Sequence, residues 1–465
     1  MDFQSGQRIP HSVRFDKSCR ARILQADRLL EMWASQMDAA FSGGAVASFD
    51  IIRAQQASVW VTPRIVPTPD SIRDLRERER LADYMHRFSG NRIEIEFEKG
   101  GNHPVILRGD LKVQLESKFS RGQEQGLRLI DAEQMSVRFN PGSSNLQSIQ
   151  AGPDFRMRET VGSLSRYFRS EQAQAEFSSP SNRMTRAEFR GDFRFEQAEL
   201  RATSDTATYE NANDRIRLEG SPRLWDSQAQ TTARVLEVHG QGTEIRGKGA
   251  VRSVFSGQSR DALPLPGAAI KPAKSAEQEI IIVTGETLQA NRKEKKAIYS
   301  GSAKASQGPD YIKSETLKID QADQTLEAQG KVEMELSSSI AEQSAKRSSP
   351  VRAYASNMIY EKLKSQMDLW GSVQLVDGEL QVLSERLAIQ FHPESQTLSR
   401  MIATERVRIL KAGWSGSGDE SEYLIAEKRL LLKGKPAEIK DSGGRRSLGR
   451  RLTMYMADDR LSVEN

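Results

Sequence analysis

The chain is poor in the residues that most site chemistry needs. It has one cysteine, Cys19, in 465 residues, so no intrachain disulfide can form and redox chemistry with a resolving partner is excluded. Its five histidines, His11, His86, His103, His239 and His392, are scattered without ligand spacing. They read as surface or turn residues, and no metal or other cofactor is expected. No apolar run approaches the roughly 20 residues of a spanning helix. The N-terminus, MDFQSGQRIPHSVRFDKSC, has no apolar h-region and so no recognisable export signal. An excess of one charge is missing too. Sixty-eight Lys and Arg stand against 63 Asp and Glu, finely interspersed, without the basic block of a nucleic-acid binder.

What is present is a polar, strand-forming text. Hydrophobic residues make up 37% and charged residues 28%, with a mean hydropathy of −0.60. That balance suits a thin sheet with one wet face better than a thick α/β core. The stretch from Leu369 to Leu383, LWGSVQLVDGELQVL, states the unit plainly. Asp377-Gly378 favours a two-residue type I′ turn, which sets Leu375 opposite Leu380 and Val373 opposite Val382, with Gln374 and Gln381 on the other face.

The front half of this hairpin recurs as an apolar residue, a glycine and alternating apolar residues. It is found at Phe41-Ser-Gly, Leu107-Arg-Gly, Phe189-Arg-Gly, Leu218-Glu-Gly, Ile245-Arg-Gly, Tyr299-Ser-Gly, Leu326-Glu-Ala-Gln-Gly and Leu432-Lys-Gly. The glycine returns about every 30–40 residues, the spacing of a repeat array. Glycine inside a strand pattern suits a bulge or a sharp bend, so the repeat reads as strand, bend, strand and polar turn.

In chain order, Ile23–Phe49 and the stretch from Thr287 share Leu-Gln-Ala-Asp/Asn-Arg and read as strand–turn–strand units. Asp70–Phe88 breaks the pattern. Ile72, Leu75, Ala82, Met85 and Phe88 fall near helical spacing, and an amphipathic helix covering a sheet edge is expected. Alternating segments then run from Arg92 to Phe255, a Pro-rich linker follows, and strands return from Ile280. Ser337–Pro350 and Gly413–Glu420 read as loops, and strand signals run on to Val463. The expected organisation is a β module over residues 1–118 with a helical insertion at 70–88, a second over 119–256, a linker at 257–278 and a third module over 279–465.

Enzyme motifs are imitated but not completed. Gly242-Thr-Glu-Ile-Arg-Gly-Lys248 resembles a phosphate loop, yet Gly249 replaces the magnesium-binding hydroxyl and the text continues as strand. Gly413-Trp-Ser415 lacks the closing glycine of a nucleophile elbow. Carboxylates fall at outward strand positions or turns, and Trp60, Trp225 and Trp370 read as core or rim aromatics. No catalytic residue is nominated.

Three segments carry a family likeness: Ala207-Thr-Tyr209 with Leu218-Glu-Gly-Ser-Pro222; Ala355 to Tyr360 with Leu369-Trp-Gly-Ser-Val373 and Leu380 to Leu387; and Glu422-Tyr423 with Leu432-Lys-Gly-Lys-Pro436. Through them the chain resembles the OstA-like (LptA/LptC-type) family of lipopolysaccharide-transport proteins, over about Phe168–Asn465. The resemblance implies an all-β fold of tandem open jelly rolls and a non-enzymatic periplasmic carrier. Its groove would hold the acyl chains of lipopolysaccharide, and its modules would join other transport components, or copies of themselves, by strand addition. Val373, Leu375, Leu380, Val382, Leu387, Ile389 and Phe391 are the groove candidates. Because such a protein needs an export signal or anchor, a fragment or a misassigned start is expected. The alternatives are a structural or protein-binding β-solenoid with a filled core, and a carbohydrate-active β-helix enzyme with carboxylates clustered on one concave face.

Overall fold

The computed structural model describes residues 2–3, 10–24, 28–42, 45–63, 86–99, 103–121, 124–143, 145–256, 280–336, 350–393, 398–455 and 460–464. Among them the regular structure is antiparallel strand, apart from the short 3-10 turns Asn211–Asn213, Gly240–Gly242 and Lys362–Lys364. The chain divides into two compact units, one of Met1–Leu224 with Glu237–Gly242 and one of Trp225–Leu236 with Thr243–Asn465. The module boundary expected between residues 118 and 119 falls within the strand Pro104–Arg121. The linker and the loop after Ser337 lie outside the described residues, apart from Pro350.

The second unit contains an uninterrupted meander. Its strands are Glu244–Ser256, Ile280–Asn291, Lys296–Gln307, Asp310–Asp320, Thr325–Leu336, Val351–Glu361, Gln366–Asp377, Leu380–Phe391, Leu398–Lys411, Trp414–Leu424, Arg429–Asp441, Arg446–Tyr455 and Arg460–Glu464. Each pairs antiparallel with the next. Every pairing but the last breaks register near its middle, because each of these long strands turns a corner there. In Leu380–Phe391 the buried positions are 380, 382 and 384, then 387, 389 and 391. The inward parity flips at the corner, so one strand serves both layers of a jelly roll.

At Gly191, Gly220, Gly301, Gly330 and Gly371 the recurring glycine makes the corner; in the Ile245-Arg-Gly repeat the corner falls at Gly249 instead of Gly247, and Gly109 and Gly434 stay outside the left-handed region. Gly191, Gly220, Gly249, Gly301, Gly330 and Gly371 sit at φ 77–84°, and the residue after each sits at φ 44–52°. The left-handed pair bends the strand but keeps its inward parity, from Leu369 to Val373 for example, while the strand between two such corners flips, from Ser384 to Leu387. Only glycine enters that region without a Cβ penalty. Gly191, Gly220 and Gly249 are spaced by 29 residues, as are Gly301 and Gly330, so the underlying period is two strands. The neighbouring strand answers with a serine at its last inward position before the corner. Ser170, Ser204, Ser314 and Ser384 each donate Oγ–H to the carbonyl two residues on, at 2.8–2.9 Å. Backbone bonds close the joint, as in Glu171 N–H to the Gly191 carbonyl at 2.8 Å and Asp205 N–H to the Gly220 carbonyl at 2.9 Å.

Several expectations need correction. The hairpin turn is Gly378-Glu379, since Asp377 pairs with Leu380 and Leu375 with Val382. Gly378, at φ 57°, takes the first central position, as a II′ turn prefers. The slip is one pair of residues, so the inward set is unchanged. Gly162 and Gly308 occupy the same place at φ 56° and 58°. The glycine-rich text from Gly413 to Glu420 is not a loop: all but its first residue lies in the strand Trp414–Leu424, and a corner accounts for its composition. Most of the expected helix, residues 70–85, lies outside the described residues, but its last turn is strand. His86–Phe88 opens His86–Phe97, where Phe88 is fully buried opposite Val59 and Leu115. His86 is buried as well, with Nδ1 3.0 Å from the Ser117 hydroxyl.

The first unit repeats the plan with one variation. Beyond Glu124–Phe139 two successive positions in the stack are each filled by two short strands, one in each layer: Leu146–Gly152 with Phe155–Val161, then Gln172–Ser178 with Leu164–Ser170. Arg183–Gln197 then pairs with both of the latter. Phe168, Phe189, Phe193 and Phe195 pack there, with ring centroids 5.0–6.5 Å apart. Among the described residues two carboxylates depart from the outward rule: Glu237 is buried and paired at 3.0 Å with Arg217, and Glu159 is buried and paired at 3.0 Å with Arg128, whose guanidinium lies over Phe119 and Phe177.

The corner predicts its own weak point. A Cβ on Gly301 would meet Glu286 Cβ at 2.7 Å, on a backbone at φ 81°, so Gly301→Ala should cost about 2 kcal/mol or more. Gly90, outside the left-handed region and with neighbours at 3.6 Å, should tolerate alanine within about 1 kcal/mol. Urea denaturation of the two variants checks the contrast.

Candidate functional site

Cross-strand partners share a face, so reading partner to partner traces the interior. In the second unit one such row runs Leu326, Tyr360, Met367, Ile389, Met401, Tyr423. It continues unbroken to Ile245 on one side and Leu461 on the other. Thirteen strands at about 4.8 Å make it roughly 55–60 Å long. On the other side of the corner a second row runs Ile312, Met334, Ala353, Leu375, Val382, Ile409. The two rows are the inner surfaces of the two layers, and their residues belong to one core cluster.

The seven nominated residues divide between these layers. Val373, Leu375, Leu380 and Val382 lie on one side of the corners at 370–373 and 383–386, and Leu387, Ile389 and Phe391 on the other. All seven are inward and between 0% and 7% exposed. The nomination missed the rest of the rows, including Tyr360, Met367, Met401 and Ile409. The signal was available, since the same alternation on either side of a bend is written in Val351–Glu361, Gln366–Asp377 and Leu398–Lys411. Of the tryptophans, Trp370 is outward and 39% exposed.

The interior is apolar enough to move ionisable groups off their ordinary values. Burial pushes the Tyr360 hydroxyl up to about 12, and its ring stands edge-on to Phe391 at 5.7 Å. Tyr299 is raised by burial too, with Ser253 hydrogen-bonded to its hydroxyl. At the end of the hairpin, burial raises the Asp377 carboxyl. Tyr423 is raised by burial and then by the charge of Asp377. These groups are neutral or costly when charged.

Residues 123–243 and 282–392 match a family model described as LptA/(LptD N-terminal domain) LPS transport protein. Over those two stretches the chain belongs to the LptA/LptD N-terminal family. The second stretch contains all seven nominated residues. Among solved structures, LptH of Pseudomonas aeruginosa, described as the LptA homologous periplasmic component of the lipopolysaccharide transport device, aligns at 14% identity and a TM-score of 0.23, over 32% of this chain and 88% of that one. A score that low carries no inference. No curated protein matches the chain.

Asp377 yields a test by pH. A carboxyl raised in the fold contributes stability that is fully present below its unfolded value of 3.8 and is lost as pH rises through the folded value. Asp377→Asn should therefore melt above the parent at pH 7, and the gap should close towards pH 4. Thermal melts of both proteins across that range check it.

Proposed function

We propose that the chain is a non-enzymatic carrier in lipopolysaccharide transport across the periplasm, taking the acyl chains between the two strand layers. The observation that supports this most is the unbroken inward apolar row across thirteen strands. Each acyl CH₂ taken out of water is worth about 0.8 kcal/mol, so a multi-chain lipid needs a continuous sleeve at every step of its path. A row perpendicular to the strands supplies one without a polar interruption. Met334, Met367 and Met401 add side chains that repack around irregular apolar shapes.

A second reading has its own observation in favour. The nominated residues are sealed by neighbouring side chains, as in a structural or protein-binding solenoid with a filled core. On the carrier reading the two layers part and the cargo takes the place of those contacts. A photo-crosslinking residue at Leu375 should then capture lipopolysaccharide, while one at Gln374, on the opposite face of the same strand, should not. Capture at neither position, with both proteins folded by circular dichroism, would favour the filled core.

A further inference from the structure

The outer face of the first unit carries an order that its interior does not require. Across six strands the outward residues fall into two aligned rows. One row is Glu94, Arg108, Ser136, Gln150, Gln174, Glu188. The other is Arg92, Asp110, Gln134, Gly152, Gln172, Arg190. Five strand spacings make each row about 24 Å long. Both rows line a concave cavity of about 570 Å³, within the range of small-molecule sites. Gly152 is the notch in it. That position has no side chain, and a Cβ there would meet the Glu171 carbonyl at 2.6 Å.

The chemistry of the face is specific. Three arginines and three carboxylates occupy the flanks and cancel. Arg108 is paired with the neighbouring Glu96 and, at 3.4 Å, with Glu94, and Glu188 is paired with Arg186 at 2.8 Å and with Arg190 at 3.3 Å. The face therefore offers no field that would select a phosphate or a cation. The centre is amide. Gln134, Gln150, Gln172 and Gln174 make no side-chain hydrogen bond among the described residues, so each presents a free carbonyl and a free NH₂ group. An apolar ligand would strip water from those groups without replacing its hydrogen bonds. A ligand dense in hydroxyls, each both donor and acceptor, would satisfy them.

We infer that this face binds a neutral sugar chain. Resting on the carrier reading, that chain is the saccharide part of the lipopolysaccharide whose acyl chains the interior takes. On these six strands the inward positions are apolar, with Ile93, Leu107, Met135, Ile149, Ala173 and Phe189 all buried. One sheet thus presents to an amphiphile a surface for each of its two halves.

The test uses neutral O-polysaccharide released from lipopolysaccharide by mild acid, which carries no acyl chain, titrated into the full chain by calorimetry. Saturable binding is expected, and Gln150→Ala/Gln174→Ala should weaken it about tenfold or more with an unchanged melting temperature. If that pair melts lower, Gln134→Ala/Gln172→Ala provides the same readout on the other row. No binding, or binding indifferent to both pairs, overturns the inference. Chitotetraose bound as tightly as the O-polysaccharide overturns the assignment to the cargo. Crosslinking of intact lipopolysaccharide at Leu375 is the separate readout. Its loss with O-polysaccharide binding intact sinks the carrier reading and leaves the sugar site standing.

Discussion

The structure depends on a two-residue corner in which glycine and its successor both enter the left-handed region. A long strand that stayed straight would present one face to one layer and leave the other half of its apolar residues wet. The corner bends the strand so that both halves point inward; the glycine strands keep their inward parity, as from Leu369 to Val373, and the strands between them flip it, as from Ser384 to Leu387. Its geometry is nearly identical at Gly191, Gly220, Gly249, Gly301, Gly330 and Gly371. Elsewhere Glu405-Arg406 and Leu111-Lys112 enter the same region without glycine, and Lys435-Pro436 turns through a cis bond. The corner is therefore required by the architecture, and glycine is its least strained solution.

Stacking these corners produces the interior. Because each strand pairs with the next in register on both sides of its bend, inward residues line up from strand to strand. The result is two apolar rows in place of a compact nucleus. Such a body grows by adding strands without adding thickness, which accounts for a chain of this length being only 37% hydrophobic. Ser204, Ser314 and Ser384 do not break the rows, because each hydroxyl returns to its own backbone across the corner.

The same alternation has an outer consequence. A thin sheet has two faces, and an amphiphile has two halves. Acyl chains need a continuous apolar surface, and sugars need hydroxyl-matching amides and hydroxyls that the protein has left uncommitted. In the first unit both surfaces lie on the same six strands, on opposite sides of one layer. The paired arginines and carboxylates at the flanks keep that outer face soluble without giving it a net field.

The all-β class, the strand–bend–strand repeat and the inward identity of Val373, Leu375, Leu380, Val382, Leu387, Ile389 and Phe391 were legible in the text, because period-2 alternation and glycine spacing are local properties. The family likeness rested on the same short patterns. Local reading failed where the evidence of fold is not local. Gly413–Glu420 has the composition of a loop, but paired strands on both sides hold all but its first residue extended. Phe88 has helical spacing, yet neighbours at Val59 and Leu115 make it a strand residue. The hairpin slipped by one pair because turn type is decided by which glycine the flanking strands leave at the first position. The alignment of Gln150 with Gln174, or of Leu375 with Val382 and Ile409, is set by register between strands. Register is a long-range hydrogen-bonding outcome, and only the tertiary structure decides it.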